Sequence, residues 1–471
     1  MDFLKIPNLK INDNFLFLDG VNLTELAEKH GTPVYIFSEK RLKNNVREIL
    51  DTFQKYHKNT TLHYAAKAET TRAVLQVIRA AGSFLEVNSG GELFKGLKAG
   101  FTPEEIIFNG VGKTEKELEL AIGEGIKAIN VDSEFELKRI ITVAKRLGKK
   151  ANILLRIVPE VSTNVVKGDE TGTHETKFGI SMDELDEVTE YALNNTEYLY
   201  VKGFHFHIGT QTYHLESFIA AFRVLLKTCI QIFEKTGYKT EILDIGGGLP
   251  VPHYLEATAR QYMPDNLYQM LCGTLTIDSI AQAVAREMKC EVVALWAGVL
   301  HQNFFEGCEL ILESGRKVVA DAGVLMSQVL CTKRRSTLNE DWLIIDAGIH
   351  TMLEVKTYHW YFPMACANRI AEAPSKPYKI AGPLCESGDV WFDCDNHKDL
   401  PDFRMLPENM KAGDWIAIMV TGAYGTPLMS RYNGRPMAGV LLIREDGTTV
   451  TIREAESYDT LLAGECNLNE R

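Results

Sequence analysis

Short apolar, β-branched runs recur along the middle of the chain, and the segments between them carry apolar residues at three- and four-residue spacing. The runs predict buried strands, and the spacing, as in Thr71–Ala81 and Glu134–Leu147, predicts amphipathic helices. The first five runs begin 22 to 25 residues apart, the length of one strand and one helix. Eight such units predict an α/β fold whose parallel strands close into a (β/α)8 TIM barrel. The runs are Leu62–Ala68, Phe84–Ser89, Ile106–Gly110, Ala128–Ser133, Ile153–Pro159, Val201–Gly209, Glu241–Gly248 and Leu310–Arg316.

The pattern changes after about residue 326, where helical spacing becomes sparse. We therefore predict a barrel over residues 37–325 and a C-terminal β domain, sandwich-like or barrel-like, over 326–471. Residues 1–36 hold the strand-like Phe15–Leu18 and a short helix starting near Asn22, and we expect them to pack with that β domain. The strand-like segments of the β domain are Trp342–Asp346, Asp414–Val420, Gly439–Arg444 and Thr448–Arg453.

Two barrel segments are longer than one strand-to-helix step. Residues 160–200 are polar and rich in Gly and Thr over Thr163–Phe178, which predicts a loop over one barrel face. Residues 250–309 are also long, and Val292–Leu300 within them predicts extra buried structure.

Composition and charge narrow the function classes. The 471 residues are 45% hydrophobic, with 51 basic and 63 acidic side chains and a net charge of −12, which argues against a general nucleic-acid or anionic-membrane binder. The chain has no run of about 18 apolar residues, so we expect no membrane span. The N-terminus lacks the basic and apolar regions of a secretory signal, so we do not expect secretion by that route. The nine cysteines are odd in number and form no Cys-x-x-Cys pair, which disfavours a metal site and suits a reducing cytoplasm.

Candidate chemistry lies at the predicted strand ends, where barrels of this class carry their active sites. Lys67 follows the first strand, and partial burial there would make its amine a nucleophile toward carbonyls. Gly246–Gly248 follow the seventh strand after Asp244, and their backbone amides suit a phosphate. At the eighth strand, Glu313 precedes Gly315 and Arg316, which suit the same anion. Each feature also has a structural explanation. Lys67 could be a solvated lysine at the barrel rim, the three glycines could form a tight turn, and Glu313 could pair with Arg316.

Two further groups are less specific. Alternation places His205 and His207 on one face of the sixth strand, as core or stacking groups or as metal ligands without a clear third partner. Cys385, Glu386 and Asp389 form a turn-like segment of the β domain, which in isolation is typical of a surface turn. An amine, a glycine-rich cradle, an acid and a flat imidazole are together the groups that pyridoxal phosphate requires.

In these residues the chain closely resembles the fold-type III pyridoxal-phosphate decarboxylases, the diaminopimelate and ornithine decarboxylase family. This family also includes D-amino-acid decarboxylases. The motifs follow in family order over most of the chain. They are Tyr64-Ala-Ala-Lys67-Ala, Ser89-Gly-Gly-Glu92, His207-Ile-Gly-Thr210, Asp244-Ile-Gly-Gly-Gly248, Glu313-Ser-Gly-Arg316, Cys385-Glu-Ser-Gly-Asp389, Gly422-Ala-Tyr424-Gly and Tyr432-Asn-Gly-Arg-Pro436.

The resemblance implies a role for each motif. Lys67 would hold the cofactor covalently, Glu313 would keep its ring nitrogen protonated, and His207 would stack on the ring with Glu86 nearby. Cys385 would return a proton to the α-carbon after CO2 leaves. The phosphate would be held by Thr210, Gly246, Gly247, Gly248, Gly315, Arg316 and Tyr424. Because the cysteine loop of this family completes the partner's site, a head-to-tail homodimer is implied.

One departure from the family bears on the substrate. Diaminopimelate decarboxylases carry an arginine where this chain has Glu354, while Tyr358 matches the family's tyrosine four residues later. An anion at this position should repel a distal carboxylate, so we expect a diamino acid such as D- or L-lysine or ornithine rather than meso-diaminopimelate. The substrate-binding set would be Arg316, Glu354, Tyr358, Glu386 and Tyr424, with Glu386 meeting the distal amine. The alternative is a shifted loop in which Glu354 faces solvent.

Other readings stay open from the sequence. Two smaller departures are Ser314 in place of proline and Glu69 in place of asparagine. The resemblance is also compatible with three other functions. The protein could be a diaminopimelate decarboxylase of lysine biosynthesis, an amino-acid racemase that uses the same cofactor, or a non-catalytic homologue that regulates an active enzyme. Retention of Lys67, the glycines and Cys385 favours a decarboxylase.

Overall fold

The computed structural model describes residues 5–161, 176–211, 213–251, 260, 263–289, 303–394 and 399–468. The chain forms two compact units. The first takes in the described residues of Met1–Leu42, Pro252–Tyr268 and Val319–Arg471, and the second those of Lys43–Val251 and Gln269–Val318. Most of the loop expected over Thr163–Phe178 and all of Val292–Leu300 lie outside the described residues.

The second unit is a closed barrel of eight parallel strands among the residues that the structure describes. Seven neighbouring pairs follow chain order, and the eighth strand pairs with the first through Leu310 and Thr60, which closes the sheet. Both faces of such strands are covered, so their sequences are almost wholly apolar. The strands are Thr60–Ala65, Phe84–Val87, Ile106–Phe108, Ala128–Val131, Ala151–Arg156, Leu199–His205, Ile242–Asp244 and Glu309–Leu312.

Helices separate the barrel strands, and polar caps fix where several of them begin. Ser89 and Ser133 accept hydrogen bonds from backbone amides three residues later, and Thr114 forms a reciprocal capping box with Glu117. The helices of this part of the chain are Glu39–Gln54, which begins in the first unit, Arg72–Ala80, Gly90–Ala99, Glu115–Glu124, Glu134–Leu147, Leu185–Leu193, Leu215–Thr236, Asp265–Cys272, Ile277–Met288 and Arg316–Val319, with single 3-10 turns at Ala66–Ala68 and Pro103–Glu105.

Apolar side chains from five strands form a buried cluster in the barrel unit. The cluster excludes water from the interior of the barrel, so the polar residues that follow its members along the strands lie in a buried setting. Its members are Ile107, Ala128, Leu154, Ile242 and Ile311.

The first unit is built on β-sheets. Strand Val34–Ser38, from the N-terminal part of the chain, pairs with Gly323–Arg335 on one side and Gly439–Ile443 on the other. The N-terminal segment therefore belongs to the β unit. The remaining strands of this unit are Leu9–Asn12, Phe15–Leu18, Val21–Asn22, Glu340–Ile345, Met364–Cys366, Lys376–Ala381, Arg404–Leu406, Trp415–Met419 and Thr449–Arg453; its short helices are Leu23–His30, Ala320–Ala322, Glu354–Thr357, Gly425–Leu428, Tyr432–Gly434 and Tyr458–Leu461.

These elements confirm the predicted fold class, a TIM barrel with an added β unit. No helix within the described ranges is both long and apolar enough to span a membrane.

Candidate active site

Polar side chains lie two residues after each member of the apolar cluster. Because alternate residues of a strand share a face, these polar groups lie on the same face as the cluster, toward the carboxyl ends of the strands. All are buried. They are Asn109, Asn130, Arg156, Asp244 and Glu313.

Glu313 is the centre of this polar layer. Its Oε1 accepts a hydrogen bond from Nδ2 of Asn109 at 2.7 Å, and its Oε2 lies 3.1 Å from Nε2 of His205. Burial alone would raise the pKa of the Glu313 carboxyl, but His205 and the neighbouring Asp244 hold it well below its ordinary value. Glu313 is therefore a buried anion whose two oxygens both have hydrogen-bond partners.

Asp244 has the opposite protonation state. Burial and then the charge of Glu313 raise the pKa of Asp244 well above its ordinary value. Its Oδ1 accepts the backbone N–H of Gly246 at 3.0 Å. Its Oδ2 is buried and has no hydrogen-bond partner among the described residues. Two adjacent carboxyl groups cannot both ionise at low cost, so Asp244 keeps the proton.

Glu86 extends the layer from the second strand. Burial and then the charge of Glu313 raise the pKa of Glu86 to about 8, against the lowering effect of Lys67. Both of its carboxylate oxygens are buried without a hydrogen-bond partner in the part of the chain that the structure describes. A buried acid in this state needs a polar partner from outside the protein.

Lys67 lies in the single 3-10 turn Ala66–Ala68 that follows the first strand. Its side chain is exposed in this chain, whereas Ala66 and Ala68 are buried. The positive charge of Lys67 lowers the pKa of both Glu86 and His207, so its amine acts on the polar layer across the strand ends.

His205 ends the sixth strand and meets the same layer, and His207 follows two residues later. His205 contacts Glu313, and Nδ1 of His207 accepts the backbone N–H of Gly247 at 3.1 Å. Burial and then the charge of Lys67 hold the pKa of His207 well below its ordinary value, so the ring is neutral. His205, Asp244 and Glu313 also place three potential metal ligands within 4.8 Å, a proximity that the hydrogen bond between His205 and Glu313 accounts for.

The glycines after the seventh strand require a correction. The amides of Gly246 and Gly247 donate to Asp244 and His207, and both residues are buried, so these two amides do not face a phosphate as expected. They are glycine because of close approach: a Cβ on Gly247 would lie 2.4 Å from the carbonyl oxygen of Glu313. Gly248 is partly exposed.

The segment after the eighth strand packs on the Lys67 turn. The carbonyl of Ser314 accepts the Ala65 N–H at 3.3 Å, and a Cβ on Gly315 would lie 3.1 Å from the Cβ atoms of Ala65 and Ala68. Arg316 is buried and begins the short helix Arg316–Val319. Thr210, after the sixth strand, is half-buried. The strand ends thus join the lysine turn directly to the predicted anion residues.

The remaining predicted residues belong to the β unit. Cys385 and Glu386 are exposed in this chain, on a loop held by Asp389. The carboxylate of Asp389 accepts the backbone amides of Ile349 at 2.7 Å and Leu384 at 2.8 Å. Asp389 therefore shapes the loop. Cys385 is exposed on it, and Oε1 of Glu386 accepts the backbone N–H of Gly388 at 3.2 Å.

Glu354 also lies in the β unit, at the start of the helix Glu354–Thr357. Only 1% of Glu354 is exposed, so its carboxylate does not face solvent in this chain. Tyr358 is half-buried one turn later. Tyr424, also half-buried, has a left-handed backbone (φ 57°) and precedes the helix Gly425–Leu428.

Comparison with known proteins identifies the family. Residues 43–320 match the family described as pyridoxal-dependent decarboxylase, pyridoxal binding domain. The chain belongs to this family. The decarboxylase is 33% identical over 451 residues to the diaminopimelate decarboxylase of Archaeoglobus fulgidus, covering 96% of this chain and 97% of that protein.

Solved structures agree. The decarboxylase is similar to the diaminopimelate decarboxylase of Methanocaldococcus jannaschii in complex with L-lysine, with a TM-score of 0.84, 31% identity and 98% coverage of each chain. The Helicobacter pylori enzyme, also in complex with L-lysine, has a TM-score of 0.76 at 29% identity and covers 93% of this chain and 98% of its own. The predicted family, enzyme class and pyridoxal-phosphate cofactor are confirmed.

The polar layer of the decarboxylase fits that cofactor. Glu313 is an anion in a buried setting, where it stabilises a proton on a ring nitrogen. The unpartnered oxygens of Glu86 offer acceptors to a polar ring substituent, and Lys67 offers an amine beside them.

Sequence reasoning missed three polar residues of the layer and Asp132, which pairs with one of them. Asn109 and Asn130 were passed over, as were Asp132 and Arg156, whose carboxylate and guanidinium lie 3.5 Å apart. The Arg156 guanidinium also lies 4.4 Å from the centre of the Phe178 ring. The available signal was a lone polar residue two positions after an apolar one near the end of each strand.

Proposed function

We propose that this decarboxylase removes the α-carboxylate of a diamino acid that has a distal amine and no distal carboxylate, such as D- or L-lysine or ornithine, and releases CO2 and the corresponding amine. The observation that carries the proposal is Glu354, a buried carboxylate where the family resemblance expects an arginine. Exchanging a cation for an anion favours an ammonium group over a carboxylate, by a factor of ten for about every 1.4 kcal/mol.

The barrel residues hold the cofactor in this proposal. When bound, pyridoxal phosphate supplies the sink for the electron pair that CO2 leaves behind. Lys67 holds the cofactor through its amine, and His207 presents a neutral ring for stacking. Glu313 keeps a proton at the ring nitrogen because its own carboxyl stays ionised. Thr210, Gly248, Gly315 and Arg316 are the barrel residues that hold the phosphate, while Gly246 and Gly247 shape the turn. The family resemblance adds Tyr424, which belongs to the β unit.

The β unit supplies the substrate-side groups. Cys385 returns a proton to the α-carbon, and Glu386 meets the distal amine together with Glu354 and Tyr358. In support, Cys385 and Glu386 are exposed in the single chain, on a loop whose shape Asp389 fixes. We propose that this loop completes the site of a second subunit in a homodimer, which would cover it and exclude water.

A second candidate is decarboxylation of meso-diaminopimelate. It is favoured by the relatives, which are named diaminopimelate decarboxylases and are 29 to 33% identical over nearly the whole chain. The two candidates differ in the sign of the charge that the substrate carries at its far end.

Release of CO2 from purified holoenzyme separates the candidates. The screen compares meso-diaminopimelate with the D and L forms of lysine and ornithine at equal concentration. The proposal predicts a higher kcat/KM for a lysine or ornithine enantiomer, and a clear preference for meso-diaminopimelate would contradict the role of Glu354.

A further inference from the structure

Two buried asparagines support the central carboxylate of the barrel. Asn109 Nδ2 donates to Oε1 of Glu313 at 2.7 Å, and Asn130 Nδ2 lies 3.3 Å from the same oxygen. Asn130 Nδ2 also donates to Oδ1 of Asn109 at 2.6 Å. The three side chains form a short relay that begins on the fourth strand and ends at Glu313.

The relay fixes the orientation of both amides. If the Asn109 amide were flipped, its carbonyl oxygen would face the Glu313 carboxylate and its NH2 would face the NH2 of Asn130. Both contacts would pair groups of the same kind, so only the observed orientation satisfies the network. Glu313 and Asn130 together therefore determine which end of Asn109 meets the carboxylate.

Neutral donors suit this position for a reason of charge. An amide stabilises an ionised carboxylate by hydrogen bonding and leaves its full negative charge available to another group. An arginine or lysine in the same place would neutralise the carboxylate instead. Since each carboxylate oxygen has room for about two donors, Glu313 can keep its bonds to Asn109 and His205 and still accept one more.

A buried ion pair holds the two asparagine-bearing segments together. The Lys113 ammonium donates to the carbonyl of Gly110 at 2.7 Å, next to Asn109, and to the carbonyl of Asn130 at 2.9 Å. It also lies 3.1 Å from the Glu136 carboxylate. Lys113 thus ties the ends of the third and fourth strands to the start of the next helix.

We propose that Asn109 and Asn130 are positioning residues that hold Glu313 as an oriented carboxylate facing the cofactor ring nitrogen. The inference rests on the proposed role of Glu313 and adds two residues whose effect on the ring nitrogen passes through that carboxylate. Neither asparagine needs to touch the cofactor or the substrate.

The test uses binding rather than turnover. Cofactor-free protein is titrated with pyridoxal phosphate and with its 1-deaza analogue, in which carbon replaces the ring nitrogen. Asn109→Leu should weaken pyridoxal phosphate about tenfold or more, since it removes a hydrogen bond to a charged group, and should change affinity for the analogue by less than about twofold. Equal losses for both ligands would overturn the inference, because they indicate a general distortion.

Two further variants keep the test sharp. In the Glu313→Gln background, Asn109→Leu should have no added effect, and a full added effect would contradict action through Glu313. Asn130→Ala leaves Asn109 in place and removes both its orienting partner and the direct contact of Asn130 with Glu313. It should show the same selective loss, which also covers the case in which Asn109→Leu does not fold.

Asn152→Leu is the matched control. Asn152 lies on the fifth barrel strand and donates to the carbonyl of Ile126 at 3.0 Å, away from Glu313. It should affect the two ligands equally. If wild-type protein binds neither ligand, the proposed function fails, whereas wild-type binding that Asn109 and Asn130 variants do not alter selectively refutes only the positioning inference.

Discussion

The backbone N–H of Gly247 donates to Nδ1 of His207 across 3.1 Å, so the turn after the seventh strand orients an imidazole that follows the sixth. Because Nδ1 accepts this bond, the ring proton resides on Nε2. Burial and then the charge of Lys67 keep the pKa of His207 low, which leaves a neutral ring at the strand ends. The glycine turn therefore orients the His207 ring, which is the group proposed to stack on the cofactor.

Replacing Gly247 with alanine should damage this arrangement. The new Cβ would lie 2.4 Å from the carbonyl oxygen of Glu313, a backbone atom that cannot move aside cheaply. We expect a loss of about 1–3 kcal/mol in the free energy of unfolding and weaker binding of pyridoxal phosphate. Denaturant unfolding and cofactor titration measure both effects.

Gly123→Ala is the matched control for that substitution. Gly123 lies in the helix Glu115–Glu124, and a Cβ there meets no other atom within 4 Å. Alanine should be neutral or stabilise the helix by up to about 1 kcal/mol. Equal behaviour of the two variants would show that close packing does not explain Gly247.

Glu86 should make the stability of the cofactor-free protein depend on pH. Its pKa is raised from the ordinary 4.5 to about 8 by burial and then by Glu313, with Glu92 adding to the rise and Lys67 opposing it. Between these values the folded protein keeps a proton that the unfolded chain loses. The contribution of Glu86 protonation to the free energy of unfolding is therefore fully present below pH 4.5 and is lost as the pH rises through about 8.

Glu86→Gln should remove this dependence. Between pH 4.5 and about 8, the free energy of unfolding should fall less steeply than in wild type, by about 1.4 kcal/mol per pH unit. Unfolding by denaturant at several pH values measures the slope. The exposed Glu104→Gln serves as the control, and identical slopes for Glu86→Gln and wild type would contradict a buried, protonated Glu86.

Substrate preference should follow the charge at residue 354. Glu354→Arg should raise the ratio of kcat/KM for meso-diaminopimelate to that for lysine by about tenfold or more, because it restores a cation to a buried position. Thr357→Arg, which adds the same cation on the exposed side of the same helix, should leave the ratio nearly unchanged. A ratio that moves equally in both variants would argue for a general charge effect.

Shared sites can be tested by mixing subunits that each lack one group and measuring formation of the amine, the product that requires both groups. If one subunit supplies Lys67 and its partner supplies Cys385, random mixing of Lys67→Ala with Cys385→Ala makes half of the dimers mixed, each with one complete site. About a quarter of the wild-type activity should return. Lys67→Ala mixed with Glu313→Gln is the control, because both changes lie in the barrel, and no recovery is expected. Recovery in neither mixture would contradict the shared site.

The periodicity of the chain was sufficient to predict the barrel. Each predicted run overlaps an observed strand, since buried parallel strands are continuous apolar segments. The predicted ends are less accurate: the first apolar run extends to Ala68, but the strand ends at Ala65 and the chain turns through Ala66–Ala68. A short apolar turn has the same pattern as a strand.

The polar layer was harder to predict because its contacts join distant parts of the chain. Asn109 and Glu313 are 204 residues apart, and a single asparagine after a strand is also typical of a turn. The glycines at 246 and 247 were recognised as special, but their packing against His207 and Glu313 depends on strands that only the fold brings together. The burial of Glu354 has no sequence signal.

Identification of the lysine that holds the cofactor tests the central claim most directly. The holoenzyme is reduced with borohydride, digested and mapped by mass spectrometry, with a Lys95→Ala variant as the control for an exposed lysine elsewhere on the barrel. The account predicts one pyridoxyl group, on the peptide that contains Lys67, in both proteins. A label on another lysine, or full labelling of a Lys67→Ala variant, would contradict it.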